Sequence, residues 1–196
     1  MSKKITLEQI SKSAMAINVP YAALRAVMDV ECKGSGFNTD GAPVILFERH
    51  VFRQRLAANG KAAIAARAMR ERPDICNSAS GGYGLYSAQH QRLTVASQYD
   101  RTSALESASW GIGQVMGYHW KSLGYASLQA FINAMYKDEA SQLDAMCRFI
   151  KMNGLDKYLR SQDWKNFALR YNGPAYAKNS YDVKLANAYR LHSSFN

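Results

Sequence analysis

Cysteine is scarce in this chain of 196 residues. Cys32, Cys76 and Cys147 are odd in number, far apart and without a Cys-x-x-Cys pair, which argues against both a disulfide framework and a thiolate zinc site. Idle thiols in a reducing compartment are the expectation. His50, His90, His119 and His192 are equally scattered, with no His-x-x-x-His pair and no acidic partner at ligand spacing. No metal and no other cofactor is expected.

Long apolar runs are also missing. A run such as Val44–Phe47 is far short of the roughly 20 residues that a membrane-spanning helix needs. Met1-Ser2-Lys3-Lys4 is not followed by an apolar core or a cleavage site, so neither general secretory export nor stable membrane insertion is expected. There is no Gly-x-Ser-x-Gly elbow, and Gly81-Gly82-Tyr83-Gly84 lacks the lysine of a phosphate loop. With no repeat, low-complexity tract or linker to divide it, the chain reads as one domain over residues 1–196, expected to be a monomer.

What is present begins with charge. A net charge of +10 favours a polyanionic partner, and nucleic acid, anionic lipid surfaces and bacterial envelope polymers all qualify. No helix-turn-helix and no aromatic RNA platform is recognisable, so nucleic acid is not expected. The basic face that includes Lys178, Lys184 and Arg190 of the last helix would suit an anionic envelope surface.

The remaining pattern is helical. Thr6 and Gln9 form a capping box ahead of Ile10, Ala14 and Ile17. Pro20 suits the first turn of a second helix, whose apolar stripe is Leu24, Val27 and Met28. Gly34 and Gly36 stop it, and Asn38-Thr39-Asp40-Gly41 is a turn before the β-prone Val44–Phe47. The composition predicts one helix from Glu48 to about Arg70, a functional or mobile loop over Asn77–Gly84, and helices over 88–99 and 128–136. Leu143, Met146, Cys147 and Ile150 define another helix, and Asp163 caps one with the stripe Trp164, Phe167, Ala168 and Tyr171. A last helix is predicted from Asp182 towards His192.

Three segments carry candidate chemistry. Glu31 is the next member of the Leu24, Val27, Met28 stripe, so its carboxyl group points toward apolar surroundings at a helix C-terminus. Both features disfavour the charged form and raise its pKa. A carboxylic acid kept protonated near neutral pH is what a glycosidic oxygen needs as proton donor. Read alone, Glu31 could equally be a last-turn residue paired with Arg25 or Lys33. In the second segment, Ser109 to Met116, Gly111 and Gly113 would let the backbone approach a bulky ligand, and Gln114 can donate to and accept from sugar hydroxyl and acetamido groups. The third, Tyr171-Asn172-Gly173, places a phenol and an amide at a helix end, where the phenol could bond the carboxyl, bond the glycan or simply fill the core.

The order Glu31, then Ser109-x-Gly111-x-x-Gln114-Val115-Met116, then Tyr171-Asn172-Gly173 resembles the lysozyme-like superfamily, especially goose-type lysozymes and lytic transglycosylases. More closely, Glu31-Cys32-Lys33-Gly34-Ser35-Gly36-Phe37, Ile45-Leu46-Phe47-Glu48-Arg49-His50, Ser107-Ala108-Ser109-Trp110-Gly111 and Tyr171-Asn172-Gly173-Pro174 resemble the N-acetylmuramidase domain of phage and prophage endolysins, from about residue 15 to 192.

The resemblance implies a mainly α fold of the α+β lysozyme-like type: two helical lobes around a cleft, with a small β-hairpin or extended segment near residues 37–47. It also implies Glu31 as general acid, and hydrolysis of the β-1,4 bond between N-acetylmuramic acid and N-acetylglucosamine in peptidoglycan. Ser109, Gly113, Gln114, Tyr171 and Asn172 are the expected glycan-binding residues. For the second catalytic carboxylate the candidates are Asp40, nine residues after Glu31 in a spacing similar to phage-type lysozymes, and Glu48, beside Arg49 and His50. Asp40 before Gly41 is also an ordinary turn former, and the Thr that follows the phage-type Asp has no counterpart here. No separate cell-wall-binding domain is expected. Such an enzyme would be made in the bacterial cytoplasm and reach the wall after membrane permeabilisation. Two rival readings remain: a lytic transglycosylase that leaves 1,6-anhydro ends, and a basic polyanion-binding protein without catalysis.

Overall fold

Thr6 opens the first helix as predicted: its hydroxyl accepts from Gln9 N at 3.2 Å while the Gln9 side chain accepts from Thr6 N at 2.9 Å. This is α1, Leu7–Ala16, in a computed structural model that describes residues 3–31 and 34–194. The Pro20 carbonyl then accepts from Leu24 N to start α2, Tyr21–Glu31. Ala22, Ala23, Leu24, Ala26, Val27 and Met28 of α2 are all buried, which makes it a central helix wrapped by others. Cys32 and Lys33, which follow it, lie outside the described residues.

The stretch read as a single helix from Glu48 to Arg70 is two: α3, Arg49–Ala58, and α4, Ala62–Glu71. Asn59-Gly60 divides them, with Gly60 at a φ of +72° that a Cβ would resist. The first capping turn closes through Gly60 N to Ala57 O and Lys61 N to Leu56 O, so composition sustained a helical reading across a turn that one glycine enforces. Further helices are α5, Gln89–Tyr99; α6, Arg101–Glu106; α7, Leu128–Lys137; α8, Glu139–Met152; α9, Asp156–Arg160; α10, Trp164–Tyr171; and α11, Tyr181–Ser193. Asp100, Ser127, Asp138 and Asp163 each cap the helix that follows through a side-chain oxygen. α6 and α9 are too short to leave a clear period in the sequence.

The β element is larger than the sequence suggests. β1, Ile45–Phe47, pairs antiparallel with β2, Ala108–Trp110, which pairs in turn with β3, Val115–Met116. The register matches Ile45 with Trp110, Leu46 with Ser109 and Phe47 with Ala108, then Ser109 with Met116 and Trp110 with Val115. Within residues 37–47 only the Phe37–Pro43 bridge has hairpin character. The partners of β1 come from more than 60 residues away, a pairing that local composition cannot announce.

Alternation sorts the two sheet faces. Ile45, Phe47, Ala108, Trp110 and Val115 are buried in the core, with Phe47 and Ala108 fully enclosed. Leu46, Ser109 and Met116 share the opposite face, and Glu48, in step with Leu46, continues it. Truncating a ring such as Phe47 or Phe52, which pack at 5.7 Å between centroids, would cost about 3–5 kcal/mol.

Packing divides the helices into two groups. α3 to α6 pack on one another and on β1, whereas α1, α2 and α7 to α11 form the second group, in which α11 lies along α2. α6 against α7, and α8 against β3, join the groups across the sheet. Among the described residues no helix is long and apolar enough to cross a membrane.

Candidate active site

Glu31 ends α2 in the second group. Burial pushes its carboxyl pKa above the ordinary value, and the opposing influence is a hydrogen bond that Asn172 Nδ2 donates to Oε1 at 2.7 Å. Arg25, one of the partners considered for Glu31, instead pairs with Asp29 at 3.2 Å, and Asp29 also bonds His192 of α11 at 2.6 Å. The terminal turn of α2 is thus anchored on a neighbouring carboxylate while Glu31 keeps an uncharged partner.

Tyr171, one residue before Asn172, stacks on Phe167 at 5.2 Å and meets Phe149 edge-on at 5.6 Å. Its hydroxyl donates to Gly113 O at 2.9 Å, which ties the end of α10 to the turn between β2 and β3. The phenol therefore bonds the turn.

That turn is fixed largely by its own side chains. Ser109 Oγ donates to Gln114 Oε1 at 2.8 Å, and Gln114 Nε2 donates to Gly111 O at 2.9 Å. Gln114 holds a φ of +46°, unusual for a residue with a side chain, and these two bonds stabilise it. The glycines also serve differently from the expectation. Their close approach is to α8: a Cβ on Gly113 would fall 2.6 Å from Met146 Cβ, and one on Gly111 would fall 2.6 Å from Gln142 Cδ. Helix-to-turn packing is therefore the physical reason for Gly113, and for Gly111 that packing together with a φ of +65°.

Gln142 is the hub of this junction. Fully buried in α8, it accepts from Ile112 N at 3.0 Å and donates to Gly36 O at 3.1 Å and Met135 O at 2.9 Å. Glu139, one turn earlier and also buried, accepts from Gly36 N, Ser35 Oγ and Ile5 N at 2.9, 3.1 and 3.0 Å. The loop after Glu31 is thereby fastened to the same helix as the Gly111 turn. Neither residue was identified from the sequence, although both extend the apolar stripe of α8 as Glu31 extends that of α2.

Glu48 occupies the other end of the sheet. Its backbone N–H bonds Ser107 O at 3.0 Å, while Gly111 N bonds Val44 O at 2.8 Å, so about 13 Å of extended chain separates the two ends of β1. Glu48 precedes α3 but makes no capping bond. Its carboxyl instead lines a cleft of about 520 Å³ with His50, Val51, Gln54, Arg55, Met116 and Tyr118. Burial raises its pKa, while the His50 imidazole, 3.6 Å away, and a hydrogen bond from Tyr83 pull it down. Met116, two residues after Gln114, connects this cleft to the Gly111 turn.

Asp40 has a different setting. It is exposed, and its Oδ1 accepts from Ala42 N at 2.9 Å inside the turn closed by Gly41 N and Asn38 O. No hydrogen bond or ion pair connects it to Glu31, Gln114, Tyr171 or Asn172 among the described residues.

The muramidase family, described as N-acetylmuramidase, matches residues 20–193, which include Glu31, Glu48, the Ser109–Met116 segment and Tyr171-Asn172. The chain belongs to the N-acetylmuramidase family. The crystal structure of a Burkholderia AP3 phage endolysin is similar throughout, with a TM-score of 0.90 and 45% identity over 99% of this chain and 72% of that one. No curated protein matched the chain. As a muramidase, the protein is a glycoside hydrolase that acts on peptidoglycan.

Proposed function

We propose that this muramidase is a phage or prophage endolysin in which Glu31 protonates the glycosidic oxygen between N-acetylmuramic acid and N-acetylglucosamine. The observation that carries the assignment is the shielded Glu31 carboxyl, held by a neutral amide at 2.7 Å and pushed toward its protonated form. Protonation neutralises the leaving oxygen as the C–O bond breaks. Water then adds to the anomeric carbon, leaving a reducing end on one fragment and a free 4-hydroxyl on the other.

Glu48 is the second carboxyl of this reading. Both acids are raised by burial, but Glu48 is drawn back toward ionisation by an imidazole and a phenol, whereas Glu31 has only one amide opposing its burial. Differing environments around two carboxyl groups suit them to acid and base roles. Ionised Glu48 would hold the attacking water or stabilise the developing positive charge. Asn172 orients Glu31, Tyr171 and Gln114 hold the glycan-facing turn in shape, and Ser109 and Gly113 act through that turn.

A Glu31→Gln protein tests the assignment, because the amide keeps the shape and cannot donate the proton. It should fold, as judged by circular dichroism, and lose about 10²–10⁴-fold in reducing-end release from purified peptidoglycan. Retained release would overturn the role of Glu31. Mass spectrometry of the soluble muropeptides should show hydrated muramic acid ends. Anhydro ends, lighter by one water, would replace hydrolysis with transglycosylation.

A further inference from the structure

Val51, Gln54, Arg55 and Ala58 recur along α3 at the i, i+3, i+4, i+7 spacing that gives one helix face, and this face lines the Glu48 cleft together with Met116 and Tyr118. Arg55 is the permanent cation of that lining. Seven residues after Glu48 in the sequence, it stands about 10 Å farther along the helix. Its position is fixed by Glu106, which is buried in α6. Arg55 Nε donates to Glu106 Oε2 at 2.8 Å, the same oxygen accepts from Asn59 Nδ2 at 3.0 Å, and Oε1 accepts from Trp120 Nε1 at 3.3 Å. Asn59 Nδ2 also donates to Ser103 Oγ at 3.0 Å. The end of α3, α6 and the segment after β3 thus converge on one carboxylate. That carboxylate engages only Nε of the guanidinium: neither terminal nitrogen of Arg55 makes a hydrogen bond among the described residues. The Tyr118 ring flanks it, 5.7 Å from the guanidinium carbon.

We infer that Arg55 is a specificity-determining residue for the muramidase reaction: its two terminal nitrogens bind a carboxylate of the peptide stem borne by N-acetylmuramic acid. The inference rests on the role given to Glu48 above, which lays the glycan in this cleft. In the wall polymer the sugars themselves are uncharged, because the lactyl carboxyl group of N-acetylmuramic acid is tied up in an amide to the stem. The free carboxylates of the stem are therefore the anions that reach the enzyme with the glycan. A guanidinium held through Nε alone keeps its Nη1 and Nη2 pair for a second partner, and that fork takes a carboxylate in two parallel bonds. Glu106 supplies preorganisation, since a side chain already clamped loses little further freedom on binding. The distance from Glu48 keeps the bound anion away from the second carboxyl group.

The test compares purified peptidoglycan with the same material after carbodiimide coupling to methylamine, which converts its carboxyl groups to neutral amides. Arg55→Gln should lose about 10-fold or more in kcat/KM for reducing-end release from the native wall. Amidation should lower the parent by a similar factor, and Arg55→Gln should lose little more on the amidated wall, because two changes that remove one interaction do not add. Arg55→Lys keeps a cation for Glu106 without the fork, so it decides the matter if the glutamine variant melts early; it should show the same selectivity for the native wall. Arg53→Gln removes an equal charge from an exposed position of α3 outside the cleft lining and should not show that selectivity. Equal losses on the two preparations in both Arg55 variants, or the same selectivity in Arg53→Gln, overturn the inference. Full activity in Glu48→Gln overturns the role of Glu48 instead, so the two failures are distinguishable.

Discussion

Asn172 Nδ2 donates to Glu31 Oε1 at 2.7 Å across 141 residues of sequence. The bond joins the C-terminal end of α10 to α2, and it is the only side-chain hydrogen bond of Asn172 among the described residues, since its Oδ1 is buried without a hydrogen-bond partner. The amide donates to the carboxylate inside a site whose burial favours the acid, so two influences act on Glu31 in opposite directions and burial is the larger. A raised carboxyl pKa is the property a proton donor requires.

Removing the amide should tip the balance. In Asn172→Ala the influence that lowers the Glu31 pKa is lost, so the basic limb of the pH–rate profile moves to higher pH. kcat falls as well, by up to about 10²-fold if the carboxyl loses its orientation. Stability should change by no more than about 1 kcal/mol, because one hydrogen bond and one unsatisfied acceptor disappear together. Unchanged limbs in kcat/KM would disprove the coupling.

The buried acid should also cost the protein stability. The folded-state pKa of Glu31 lies above its ordinary value of 4.5, so the native state binds the proton more tightly than the unfolded chain. Stability is then fully present below pH 4.5 and declines as pH rises through the folded pKa. Glu31→Gln escapes this decline. Thermal melts should show the variant more stable than the parent at pH 7, with the difference vanishing near pH 4. A variant less stable at both pH values would contradict the argument.

The two candidates for the second carboxylate should separate cleanly. Glu48→Gln is expected to lose about 10²–10⁴-fold in activity. Asp40→Asn keeps the acceptor for Ala42 N, so it should retain activity and stay within about 0.5 kcal/mol of the parent. Parallel assays on purified peptidoglycan decide the matter, and the reverse ranking would restore Asp40.

The α8 hub should prove more important to stability than any glycan-facing residue. Gln142→Leu leaves Met135 O and Ile112 N without their Gln142 partner, while Gly36 O keeps the bond from Val44 N. At roughly 1–3 kcal/mol for each buried group left unsatisfied, the loss should reach about 2 kcal/mol or more. For a chain of this size, that corresponds to a fall in melting temperature of roughly 4–8 °C. Differential scanning calorimetry checks it; a melting temperature within a degree of the parent would show that the loop and turn are held by other means.

Much of this protein can be read locally. The capping box at Thr6, the α2 stripe leading to Glu31, the Asp163 cap and the stripe to Tyr171 are set by neighbours within one or two helical turns, so sequence periodicity reveals them. Glu31 was legible for the same reason, because a carboxyl that continues an apolar stripe must meet the core. The Glu48–Arg70 stretch misled because a helical composition on both sides concealed the turn at Asn59-Gly60, where a single positive φ outweighs average propensity.

What only the folded chain decided is the set of long-range pairings. The three-stranded sheet joins residues 45–47 to 108–116, and nothing local to either segment specifies that partner. The glycines of the Gly111 turn suggested room for a ligand, but the space they leave is filled by α8. Glu139 and Gln142 gain their roles from contacts with segments distant in sequence, apart from the local bond Gln142 makes to Met135. Helical periodicity is written into each short stretch because its cause is the backbone hydrogen bond four residues back. The meeting of Glu31 with Asn172, and of Tyr171 with Gly113, depends on how separate elements exclude water together, a property of the packed whole.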